Sequence, residues 1–185
     1  MPLNLKLLAA LVVAFTCGPC LYACAAEGEP SLKEVKAFRA YPVYYSGVSV
    51  VGNSLREIQG DPARYEDQRD TSWFFLYGQC KDPPGEGGCP VPIQIHNYST
   101  CTRWASLRSS KLFDFRGAKA TRPRPGGGAA LEIFTGRTTV TIHAENRHVL
   151  DSAARALRDV RSDRPSALAP PTPGSLSGEL PCQKG

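Results

Sequence analysis

The sequence predicts an α+β fold, a mainly antiparallel sheet with one C-terminal amphipathic helix and a Pro-rich tail pinned by a disulfide. Three observations carry this. Val91, Ile93 and Ile95 alternate with Pro92, Gln94 and His96, and Val140, Ile142 and Ala144 alternate with Thr139, Thr141 and His143, the period of a strand with one buried face. From Arg147 to Val160 the period lengthens: Val149, Leu150, Ala153, Leu157 and Val160 form one stripe, as on a helix that lies on a sheet. The 17 Gly and 16 Pro among 185 residues exceed the globular average and predict many turns. A β-rich sandwich is the competing arrangement.

Along the chain, Pro42 in Tyr41-Pro42-Val43-Tyr44-Tyr45 argues for an edge strand or loop, and Val48 to Val51 is β-prone. Asn53 or Ser54 is positioned to cap a short helical turn through Leu55 and Ile58, and Asp61-Pro62 to begin another. Trp73-Phe74-Phe75-Leu76-Tyr77 is apolar on both faces, as in a central strand, and its expected partner is the run from Val91 to Ile95. Phe113 and Phe115 lead through Gly117 into Ala118 to Arg122, one hairpin; Leu131 and Ile133 lead through Thr135-Gly136-Arg137 into Thr138 to Ala144, a second. On the helix, Asp151 with Arg155 and Arg155 with Asp159 are spaced as ion pairs.

Four regions follow: a leader over 1–26, a spacer over 27–40, one α+β domain over 41–161 and a Pro/Gly/Ser-rich tail over 162–185. The leader has Lys6, an apolar stretch from Leu7 to Phe15, then small residues, and the chain turns polar after Ala26, the pattern of an export signal. Its end, Leu21-Tyr22-Ala23-Cys24, resembles the lipobox of bacterial lipoproteins. That resemblance implies lipid attachment at Cys24 and a domain tethered to the outer face of the cytoplasmic membrane or elsewhere in the cell envelope. Cleavage after Ala25 or Ala26, giving a secreted protein, and retention of the apolar segment as an anchor are the alternatives. Cys17-Gly18-Pro19-Cys20 resembles the thioredoxin redox motif, but too little chain precedes it for the strand and helix that motif requires. In the body, Phe75-Leu76-Tyr77-Gly78-Gln79-Cys80, Gly87-Gly88-Cys89-Pro90 and Phe134-Thr135-Gly136-Arg137-Thr138-Thr139-Val140 resemble uncharacterised small exported proteins of high-GC bacteria, a group that implies no activity.

Once the leader is subtracted, Cys80, Cys89, Cys101 and Cys182 remain, an even set in a chain bound for an oxidising compartment. The Pro/Gly turn between Cys80 and Cys89 favours pairing those two, and Cys101 with Cys182. On loop entropy the short bridge contributes about 2 to 3 kcal/mol and the long one somewhat over 4 kcal/mol. The long bridge is expected to hold a tail with few apolar anchors.

The net charge of +5 falls to +4 without Lys6, and the arginines are scattered among acids, which excludes an extended nucleic-acid surface. No catalytic residue and no cofactor is assigned. His143, Glu145 and His148 flank a strand-to-helix junction and are the candidate metal ligands, which an exported metal-dependent hydrolase would use; polar surface residues at a junction are the plainer reading. Tyr44, Tyr45 and Trp104 are the candidate binding aromatics for an envelope protein or glycan, although most aromatics in a domain this size belong to its core. Lys119, Arg122 and Arg124 form a basic loop able to touch lipid headgroups. Asn97-Tyr98-Ser99 matches a glycosylation sequon. His96 enters only as an imagined base for a cysteine nucleophile. A non-catalytic envelope domain, bound to the membrane through its lipid anchor or leader, is the leading expectation.

Overall fold

The computed structural model of the protein describes residues 31–60, 62, 66–79, 91–100, 111–123 and 128–176. The chain begins with a short helix, α1 (Leu32–Ala37), then β1 (Tyr44–Tyr45), β2 (Ser49–Val50), β3 (Asn53–Gln59), a 3-10 turn at Gln68–Asp70, β4 (Trp73–Tyr77) and β5 (Ile93–Ser99). There follow β6 (Phe113–Phe115), β7 (Ala118–Thr121), β8 (Ala129–Thr135), β9 (Thr138–Ala144), α2 (Arg147–Ala156) and β10 (Arg158–Asp159). Eight strands form one sheet in the order β2-β3-β4-β5-β9-β8-β7-β6, and β1 pairs with β10 in a small separate ribbon. All of these strand pairs are antiparallel. The fold is sheet-dominated α+β.

The two faces of the sheet differ. On the first face Trp73, Phe75, Tyr77, Ile93, Ile95, Leu131, Ile133, Val140 and Ile142 are fully buried, and they join one apolar cluster with Val35 and Phe38 of the α1 region, Tyr41, Val43, Tyr44, Tyr45, Leu157 and the inner residues of α2. Burying that many large side chains, at about 1.5 to 3 kcal/mol each, is the main stabilising contribution.

The strap from Tyr41 to Ser46 crosses this face and would bring its own unpaired backbone groups into the dry layer, which is costly unless they find partners. Asn97, fully buried on β5, supplies them. The Tyr44 N–H donates to Asn97 Oδ1 at 2.7 Å, and Asn97 Nδ2 donates to the Tyr44 carbonyl at 2.9 Å. Other pins follow: Thr138 Oγ1 donates to the Pro42 carbonyl at 2.6 Å, the Ser46 N–H donates to Tyr77 Oη at 3.0 Å, and Ser46 Oγ donates to the Ala153 carbonyl at 2.8 Å. Tyr41 donates its hydroxyl to the Thr71 carbonyl. Burial pushes the Tyr41 and Tyr77 phenols well above their ordinary value.

Several sequence expectations are corrected. Residues 53–59 form a strand rather than a capped helical turn, because pairing of Ile58 with Phe75 and of Gln59 with Phe74 outweighs local propensity. The helix ends at Ala156 rather than at Val160. Arg158 and Asp159 pair with Tyr45 and Tyr44 instead, the Val160 N–H donates to the Val43 carbonyl at 2.9 Å, and the expected Arg155–Asp159 pair gives way to an Arg155 bond to Ser152 Oγ. The helix start follows the rule for caps: Asn146 Oδ1 accepts from the Val149 N–H at 3.0 Å. At its other end the Arg116 guanidinium donates to the carbonyls of Ala154, Leu157 and Arg155 at 3.0, 2.9 and 3.2 Å, satisfying acceptors a helix terminus leaves open. The region expected to be a plain spacer holds α1, opened by a capping box between Ser31 and Glu34.

The tail has noncovalent anchors of its own. Leu168 is buried in the core, and its N–H donates to the Arg116 carbonyl at 2.7 Å. Arg116 and Gly117 both have positive φ, 53° and 95°, as a two-residue hairpin turn requires. A Cβ at Gly117 would stand 2.7 Å from the Leu168 carbonyl. Further on, the Gly136 N–H donates to the Pro170 carbonyl at 3.0 Å and the Thr172 N–H donates to the Gly136 carbonyl at 3.1 Å. The expectation that this segment lacks anchors of its own is therefore overturned. Cys80, Cys89, Cys101 and Cys182 lie outside the described residues, as does Cys24.

Replacing Asn97 with Ala leaves the Tyr44 N–H and carbonyl buried without partners. The expected loss is about 2 to 4 kcal/mol in a denaturant titration. A loss below about 0.5 kcal/mol, the scale of an ordinary surface change, would show that the strap does not depend on this amide.

Candidate functional site

The second face of the sheet is the side away from α2. The β4–β5 register sets Phe74 opposite His96 and Leu76 opposite Gln94, and the β5–β9 register sets Gln94 opposite His143, His96 opposite Thr141 and Tyr98 opposite Thr139. Because alternate residues share a face, Phe74, Leu76, Gln94, His96, Tyr98 and His143 form one surface, and all six are half-buried. Toward β7 and β8 the same face closes over: Thr121, Glu132, Phe134 and Thr139 are buried.

His96 is the hub. Its Nδ1 lies 3.0 Å from Tyr98 Oη and its Nε2 lies 3.2 Å from Gln94 Oε1, so both ring nitrogens are engaged along β5. The Gln94 oxygen accepts, which places a proton on Nε2 and leaves Nδ1 to accept from the Tyr98 hydroxyl. Phe74 meets the imidazole edge-on with centroids 4.6 Å apart, and the His143 ring lies tilted at 5.2 Å. Burial, and then the neighbouring His143, push His96 down to about 4; burial also lowers His143. Burial, and then the Glu132 carboxylate, raise the Tyr98 phenol. At neutral pH the patch therefore presents uncharged imidazoles, a phenol, an amide and apolar carbon.

The residues singled out in the sequence are placed differently. Tyr44 and Tyr45 are buried in the first-face core, their backbone pairs with β10, and the Tyr45 ring packs against Phe75 and the Arg158 guanidinium; neither offers a surface. Trp104 and Arg124 lie outside the described residues. Arg122 bridges to Asp151 at 3.4 Å and lies over the Phe113 ring, and Lys119 donates to Asp114 at 2.6 Å, so both serve the domain's own packing. Asn97 is fully buried with its amide committed to Tyr44, which removes the sequon reading.

His143, Glu145 and His148 are not brought together. His143 lies on the second face, Glu145 is exposed just beyond β9, and His148 is exposed in the first turn of α2, which packs on the opposite face. Among the described residues no three His, Cys, Asp or Glu side chains gather as metal ligands. His96 and Gln94 were the residues missed. Their signal was present in the wet-face alternation Gln94-x-His96-x-Tyr98, but the pairing that joins them to Phe74 and His143 is nonlocal.

No family model, curated protein or solved structure matches the chain. The fold and the patch define its class: a sheet-dominated α+β domain with one closed face and one partly open face. Among the described residues no helix is long and apolar enough to cross a membrane.

The lowered His96 value sets a pH dependence. Folding favours the neutral ring, so its contribution is complete above the unfolded value near 6.5 and is lost as pH falls toward about 4. Wild type is expected to lose on the order of 1 to 3 kcal/mol across that window beyond its background slope. His96→Gln should flatten the melting profile between pH 7 and 4.5. Parallel profiles for the two proteins would show that His96 is not held neutral by the fold.

Proposed function

We propose that this is an exported, membrane-tethered cell-envelope protein that binds its partner without catalysis, through the second face of its sheet. The observation that carries the reading is the half-buried cluster of Phe74, Leu76, Gln94, His96, Tyr98 and His143, a surface apolar enough to dock and polar enough to orient what docks. Export is supported by the leader and by the lipobox-like Leu21-Tyr22-Ala23-Cys24, and membrane attachment would run through a lipid on Cys24. Disulfides among Cys80, Cys89, Cys101 and Cys182, with one tethering the end of the tail, suit that destination. An exported hydrolase built on His143, Glu145 and His148 is disfavoured, because the first and last of these stand on opposite sides of the sheet.

Prepared without the lipid, the protein should sediment with isolated envelopes saturably. Leu76→Arg, which places a charge in the middle of the patch, should weaken that binding by about tenfold or more, while Cys24→Ala should release the protein from the membrane fraction of intact cells. Equal, saturable sedimentation of wild type and Leu76→Arg would refute the binding face. Unchanged membrane retention of Cys24→Ala, with no lipid on the wild-type N-terminus, would refute the tether.

A further inference from the structure

The composition of the second face narrows what it can hold. We infer that the face is a subsite for a neutral glycan, a polyhydroxylated ligand without ionised groups; this rests on the binding-face reading above and specifies its ligand.

Three kinds of ligand can be weighed against the residues present. An anionic ligand needs a cation to meet it. Among the described residues the cations on the strands flanking this patch are paired, Lys119 of β7 with Asp114 at 2.6 Å and Arg56 of β3 with Glu57 at 4.0 Å, the two imidazoles are held uncharged at neutral pH, and Glu132 adds a carboxylate in the row of His96 and Thr141. A cationic ligand would find Glu132 behind a surface that leaves it 2% exposed, and Glu57, opposite Leu76 on β3, with its carboxylate already bonded by the Gln59 amide and 4.0 Å from the Arg56 guanidinium. A wholly apolar ligand would strip water from the Gln94 amide and from both rings, and each buried polar group left without a partner costs about 1 to 3 kcal/mol.

A neutral sugar satisfies both halves of the surface. Its C–H faces pack on Phe74, Leu76 and the ring of Tyr98, while its hydroxyls donate and accept. The donors and acceptors are already oriented. Gln94 Oε1 and Tyr98 Oη are fixed by their bonds to His96, which leaves the Gln94 NH2 as a donor and the Tyr98 oxygen as an acceptor for a ligand. His143 makes no hydrogen bond among the described residues, and its neutral ring offers one donor and one acceptor. Fixing these groups beforehand reduces the ordering cost of binding. Gln94 to Tyr98 runs about 14 Å along β5, and Phe74 to His143 spans two strand intervals, about 10 Å, room for a short oligosaccharide.

The test is calorimetric titration of the mature, oxidised protein with neutral hexasaccharides of glucose, mannose and N-acetylglucosamine, with dextran sulfate as a charged control. At least one neutral hexamer is expected to bind with Kd at or below about 1 mM. Gln94→Ala and His143→Ala should each weaken it by about fivefold or more with unchanged circular dichroism, and His143→Gln, which keeps a donor and an acceptor, should retain most of it. Should an alanine variant fail to fold, protection of the 93–99 amides from hydrogen exchange by the same hexamer replaces it as the readout. No binding by any neutral hexamer, binding by dextran sulfate alone, or binding unaffected by the variants and without protection of 93–99 overturns the inference. If Leu76→Arg still abolishes envelope sedimentation while no neutral sugar binds, a protein partner occupies the face, and only the ligand assignment fails.

Discussion

The amide of Asn97 stands where a neighbouring strand would otherwise be needed. A strap of backbone laid across the dry side of a sheet carries donors and acceptors that water no longer reaches, and each one unmet would cost about as much as a good part of a marginal domain's stability. One side chain rising from β5 meets the N–H and the carbonyl of Tyr44 together, so Tyr41 to Ser46 can lie flat on the sheet. That placement turns three tyrosines inward, aligns Tyr44 and Tyr45 to pair with Asp159 and Arg158, and so determines where α2 must stop.

Closure of one face decides the character of the other. Because strand residues alternate, commitment of Ile93, Ile95 and Asn97 inward obliges Gln94, His96 and Tyr98 to face outward. Flanking strands bring Phe74 and His143 against them. The rings meet edge to face or tilted, and the His96 bonds to Gln94 and Tyr98 hold the set in fixed orientation. The result is an uncharged, preoriented surface, the property from which the binding proposal follows.

Much of the fold was legible locally, and the departures share a cause. The β4–β5 pairing and both β6–β7 and β8–β9 hairpins followed from alternation and from Gly117 and Gly136, because their partners are near in sequence. The strand at 53–59, the early end of α2 and the anchored tail did not, since each is decided by distant residues: Phe75 for Ile58, Tyr44 for Asp159, Arg116 for Leu168. The candidate site shows the same division. His143 was visible as a polar residue on a strand, but chain proximity suggested Glu145 and His148 as its companions, whereas register supplies His96. For Tyr44 and Tyr45 the sequence leaves a binding surface and the core both open, because nothing nearby reveals the amide that draws their backbone inward.

The central claim is that the sheet has a closed face beneath the Tyr41–Ser46 strap and a partly open one bearing His96. Hydroxyl-radical footprinting of the folded protein, read residue by residue by mass spectrometry, tests it in a single experiment. The account predicts modification at Phe74, Tyr98 and His143 with protection of Tyr41, Tyr44, Tyr45 and Tyr77. Rapid modification of Tyr44 and Tyr45 with protection of Tyr98 and His143 would contradict it.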